Sequence, residues 1–131
     1  MSILGRRVPL KAIAAIALAM IFAALIPVVS STPDREIVLV VKGMAFYLES
    51  DPRTANPTLE VKAGERVRVV VRNRDRGMTH DFAAPALGAA LTPMQWNESG
   101  EVMFEAPDTP GTYEYVCRPH QLMMRGAIRV Y

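Results

Sequence analysis

From residue 32 onward, apolar and polar positions alternate. In RVRVVVRN (66–73), Val67, Val69 and Val71 fall on one face, while Arg66, Arg68 and Arg72 share the other with Val70. A period of two predicts a strand with one face buried and the other in water. GEVMFEAP (100–107) sets Val102 and Phe104 against Glu101, Met103 and Glu105. PTLEVKAGE (57–65) sets Leu59 and Val61 against Glu60 and Lys62 before an Ala-Gly turn. EIVLVVKG (36–43) is a β-branched run closed by Gly43, and GTYEYVC (111–117) and GAIRVY (126–131) complete the series. Glycine or proline stands between nearly every pair. Short strands at this spacing, with no amphipathic helix among them, predict an all-β sandwich or barrel whose core includes Phe46, Leu59, Val69, Phe104 and Ile128. Composition predicts a loop at 49–58 and a long irregular stretch at 84–100 with one helical turn.

The pattern before residue 32 is different. Residues 1–11 carry Arg6, Arg7 and Lys11 and no acid, and residues 12–29 carry no charge. A basic leader followed by an apolar run is the pattern of an export signal, and its length overlaps that of a short membrane anchor. The sequence therefore divides into 1–31, an export signal or membrane anchor, and 32–131, one domain. Arg6-Arg7 followed by Leu10 and Lys11 also resembles a twin-arginine export signal, with Pro9 where such signals carry a large apolar residue. The expected location is the periplasm, or the outer face of the inner membrane with residues 12–29 as tether.

Three of the fifteen basic residues lie before residue 32 and all thirteen acids after it, so the remainder is net −1. Without a large basic excess, nucleic acid is not expected as a partner. The chain holds one cysteine and two histidines. A lone cysteine in an exported chain has no internal disulfide partner, which leaves another chain, a reactive thiol or a metal.

The chemistry concentrates in YEYVCRPHQLMMRG (113–126), where Cys117 precedes His120 by three residues and Met123 and Met124 follow. The other histidine, His80, stands in GMTHDF just after the strongly alternating strand. A thiolate, two imidazoles and a weak axial thioether form the trigonal site of blue copper proteins. Zinc would call for four strong Cys or His ligands, and the chain has three such residues. Nor is there a nucleophile–base pair or a phosphate loop, so an enzyme is not expected.

Y-x-Y-x-C-x-P-H with M-x-G-x-I-x-V resembles the C-terminal ligand loop of cupredoxins such as plastocyanin and amicyanin. His80-Asp81-Phe82 resembles their segment carrying the first histidine, and VKAGERV the turn before the strand leading to it. The resemblance implies a Greek-key β-sandwich of about eight strands with one copper ion at one end. It assigns His80, Cys117 and His120 as ligands. The M-x-G pattern favours Met124 as the axial ligand, with Met123 as the alternative. Asp81 stands where the family has asparagine, so it accepts but cannot donate a hydrogen bond, and Arg118 is its candidate salt partner. Pro119 has no N–H to offer the sulfur. Both departures are expected to lower the reduction potential.

The implied function is single-electron shuttling by a monomer that docks transiently on redox proteins through an apolar patch around His120, drawn from Pro85, Ala86, Leu87, Leu122 and Met123. The rival is a copper carrier that holds Cu(I) with the same ligands. Met44, Met78, Met94 and Met103 are expected in core or loop packing. The arginines at 66, 68, 72, 74 and 76 are expected on a solvated face, and Trp96 as a loop anchor on the sandwich.

Overall fold

The computed structural model describes residues 32–131; the export signal or anchor expected at 1–31 lies outside the described residues. Nine strands form among them: β1 (Arg35–Lys42), β2 (Ala45–Leu48), β3 (Leu59–Val61), β4 (Arg66–Asn73), β5 (Ala83–Ala84), β6 (Ala89–Ala90), β7 (Ser99–Glu105), β8 (Gly111–Val116) and β9 (Arg125–Val130). They make two sheets, ordered β2-β1-β4-β7 and β3-β9-β8-β5-β6. Both sheets are mixed, because β1 runs parallel to β4 and β3 parallel to β9. Among these residues no helix is long and apolar enough to cross a membrane.

The alternation in the sequence becomes burial in the fold. Val67, Val69 and Val71 are fully buried, and each such side chain contributes about 1.5–3 kcal/mol. On the outer face of β4, Arg68 pairs with Glu36 and Glu101, and Arg72 with Glu49. All five expected core residues are buried, together with Leu39, Val41, Phe82 and Tyr115. The Ala-Gly turn forms between β3 and β4: Glu65 N–H donates to the Lys62 carbonyl at 3.1 Å, with Gly64 at φ 73°.

The strand count exceeds expectation because three short strands carry no alternation. β2 follows a two-residue turn, Gly43-Met44, in which both residues have positive φ. β5 and β6 are alanine pairs, and between them Pro85–Leu87 forms a 3-10 turn closed by Gly88, which supplies the single helical turn expected in 84–100.

The sheets meet in an aromatic cluster. Phe46, Phe82 and Tyr115 lie with ring centroids 5.4–6.0 Å apart. The buried Tyr115 hydroxyl donates to the Pro57 carbonyl at 2.7 Å. Phe82 follows His80 by two residues and Tyr115 precedes Cys117 by two, so the cluster forms the floor beneath both.

Candidate metal centre

Cys117 leaves the end of β8 buried, as Tyr115 is two residues before it. The chain then turns through a 3-10 segment, Arg118–His120, and His120 N–H donates to the Cys117 carbonyl at 3.0 Å. The loop closes when Met124 N–H donates to the His120 carbonyl and Cys117 N–H to the Met124 carbonyl, both at 2.9 Å. Pro119 stands in the first turn of this segment, where its fixed φ suits the start of a helical turn.

His80 arrives from the other sheet. Its backbone makes a two-bond bridge with Met94, at 3.1 and 2.7 Å. The turn before it is organised by Asn73, a residue whose role the sequence reading did not find. Asn73 occupies the next inward position of β4 after Val71 and is fully buried. Its amide donates to the carbonyls of Met78 (2.8 Å) and Met94 (2.9 Å), and its oxygen accepts from Asp75 N–H at 2.9 Å.

These two segments bring together the three expected donors. Cys117 Sγ lies 3.7 Å from His80 Nδ1 and 3.6 Å from His120 Nδ1. All three donor atoms fall within 4.8 Å of one another. The imidazole centroids are 4.8 Å apart with the rings tilted by 55°. His80 and Cys117 are buried and His120 is half-buried. Of the two methionines, Met124 is wholly buried and Met123 is 61% exposed. A compact set of one sulfur and two imidazole nitrogens, with a buried thioether on the same loop, fits one type 1 copper ion.

The electrostatics act on the two buried donors in opposite senses. Burial pushes the Cys117 thiol up, so without metal it keeps its proton. Burial pushes His80 down, against the pull of Asp75, which leaves the imidazole neutral. Asp81 clasps the two ligand segments together. Its N–H reaches Cys117 Sγ at 3.5 Å, and its oxygens accept from Arg118 N–H (2.7 Å) and Arg118 Nε (2.6 Å). Arg118 is held further by the Leu91 carbonyl, 2.9 Å from Nη2. The salt partner expected for Asp81 is therefore in place.

Two surface expectations change. Beside His120 a shallow cleft is lined by Leu122 and Met123, as expected, and also by Met44, from the β1–β2 turn. Trp96 is 47% exposed and does not anchor its loop in the sandwich; the Arg76 guanidinium lies over its ring, 4.7 Å from the centroid.

The chain belongs to the cupredoxin-like domain family, whose model matches residues 12–130. Among solved structures it is similar to auracyanin B, with 24% identity, a TM-score of 0.59, and 79% of this chain and 93% of that one covered. A rusticyanin variant matches at 25% identity and a TM-score of 0.57, covering 76% of this chain and 80% of that one. The periplasmic domain of cytochrome oxidase subunit II from Bradyrhizobium japonicum matches at 20% identity and a TM-score of 0.56, covering 76% of this chain and 86% of that one. No curated protein matches the sequence.

Proposed function

We propose that this protein is an exported, single-electron carrier in which His80, Cys117, His120 and, axially, Met124 would hold one type 1 copper ion. The observation that carries this reading is the placement of Cys117 Sγ within 3.7 Å of both imidazoles from segments 37 residues apart in the chain. When bound, copper supplies a cupric–cuprous couple that accepts or donates one electron.

The protein's own groups hold the donor set still. Cys117 loses its proton on loading, and the buried sulfur then receives a backbone N–H from Asp81. His80 is locked through Met94 and Asn73. His120 is fixed by the short loop and is the one imidazole that reaches the surface. A donor set tied at both ends has little freedom to rearrange between oxidation states, which favours fast exchange. A substrate would have to pass His120 to reach the donors, so a carrier fits the site better than an enzyme.

Exposed Leu122 and Met123, with Met44, form an apolar rim at His120 that suits brief docking of a redox protein. One observation favours a second reading, Cu(I) delivery: Met44 and Met123 place soft thioethers in the same cleft as His120.

Optical and EPR spectra of the copper-loaded protein separate the readings. An electron carrier is intensely coloured when oxidised, cycles reversibly, and loses its colour in Cys117→Ser. Met124→Leu changes the spectrum and the potential, whereas Met123→Leu leaves both near wild type. A protein that stays colourless or sheds its metal on oxidation would be a carrier of Cu(I).

A further inference from the structure

Two carboxylates approach the centre, and the structure treats them differently. Asp81 spends both oxygens on Arg118, so its charge is offset at 2.6 Å. Asp75 has no such cation. Its Oδ2 lies 3.0 Å from His80 Nε2 and accepts the Met44 N–H, also at 3.0 Å. Its chain neighbours turn elsewhere, Arg74 onto the Asn97 side chain and Arg76 onto Trp96. No Lys or Arg among the described residues pairs with it.

We infer that Asp75 is the positioning residue of the copper centre: its carboxylate fixes which nitrogen of His80 faces Cys117 and supplies the uncompensated negative charge that favours the oxidised state. The inference rests on the copper reading above.

The tautomer follows from geometry. A carboxylate can only accept, so His80 must carry its proton on Nε2. Its lone pair is then on Nδ1, the atom 3.7 Å from Cys117 Sγ. The opposite tautomer would set the Nε2 lone pair against a carboxylate oxygen at 3.0 Å. The charge follows from burial. His80 is wholly buried and the Asp75 side chain only 18% exposed, so solvent screens the pair weakly. A negative charge on the far side of a ligand ring makes the ring a stronger donor and favours the more positive ion.

The carboxylate is itself held from two sides. Asn73 Oδ1 accepts its backbone N–H, and the Gly43-Met44 turn delivers the second donor to Oδ2. Met44 adopts φ 62°, a left-handed conformation that side-chain-bearing residues rarely take. The strained residue is the one whose N–H binds Asp75.

The test compares reduction potentials and metal-free histidine NMR in Asp75→Asn, Asp75→Glu, Asp75→Ala and Asp81→Asn. Asparagine can accept the same two hydrogen bonds without the charge. The midpoint is expected to rise in Asp75→Asn, to rise less in Asp81→Asn, and to stay near wild type in Asp75→Glu. In the metal-free protein, nitrogen shifts should report the Nε2–H tautomer of His80 in wild type and a mixture in Asp75→Ala. Cupric affinity should fall about 10–100-fold in Asp75→Ala. If Asp75→Ala does not fold, the isosteric Asp75→Asn still decides. An unchanged or lower midpoint in Asp75→Asn, or a larger rise in Asp81→Asn, overturns the inference and leaves the copper reading intact. Failure of the copper reading would show separately, as no coloured copper complex in the wild type.

Discussion

Gly126 and Tyr115 face each other across the β8–β9 pair, and the Tyr115 ring lies over the glycine. A Cβ at residue 126 would overlap that ring, which the aromatic cluster and the bond to Pro57 hold in place. Gly126→Ala should therefore cost about 2–3 kcal/mol through overpacking, read as a lower urea midpoint. The glycine of the M-x-G pattern thus makes room for the tyrosine beneath the ligand loop. Glu65 shows how a residue's charge reaches the fold. Burial pushes its carboxyl up, but the Lys62 N–H and the Arg35 guanidinium outweigh burial and hold it below its ordinary 4.5. Because the folded value lies below the unfolded one, the stabilisation is full above pH 4.5 and is lost as pH falls below it. Glu65→Gln should cost about 1–2 kcal/mol near neutrality. The gap between variant and wild type should close in urea titrations at about pH 3. A gap that persisted in acid would place the effect in packing.

Strands with a clean period of two were legible before any coordinates, because alternation writes one buried face directly into the chain. β4 is the clearest case, and its predicted bounds of 66–73 match those observed. β2, β5 and β6 were not legible: AFYL does not alternate, and two alanines have no pattern to read. They are strands because a neighbour pairs with them. The inward face of β4 also ends on an asparagine, which local propensity reads as the edge of a turn. Its work is tertiary, since its amide satisfies the Met78 and Met94 carbonyls and so sets the His80 backbone. Asn73→Ala leaves the Met78 carbonyl without that donor, at about 1–3 kcal/mol, and takes one of two donors from the Met94 carbonyl, which keeps the His80 N–H. The expected result is a lower Tm together with weaker copper binding. A lower Tm with unchanged copper affinity would mean the segment holds its shape without the amide.

Across the whole molecule, charge is distributed unevenly. The outer face of β4 is neutralised, with Arg68 and Arg72 on carboxylates, whereas Arg74 and Arg76, on the turn leading to His80, have no carboxylate partner among the described residues. The domain as a whole is net −1. If net charge governed encounter, oxidation of the reduced protein by hexacyanoferrate(III) would speed up as salt is added. If the patch beside His80 governs it, that reaction should slow with salt and slow further in Arg76→Gln, while a cationic ruthenium ammine should show the opposite trend. Stopped-flow rates across an ionic-strength series give the sign directly.

The candidate donors that the fold brings together were legible in the chain itself, since it holds a single cysteine and two histidines and Cys-x₂-His is a matter of covalent spacing. The strand faces were legible for the same kind of reason, a repeat of two along one segment. The M-x-G pattern already favoured Met124 and named Arg118 as the candidate partner of Asp81, but that Met124 turns inward while Met123 turns out, and that Asp75 meets the far nitrogen of His80, are decided by the fold. Each depends on where separate loops converge once two sheets have packed. In the chain Asp75 is one acid between two arginines, and only the fold sets its carboxylate against a buried ring.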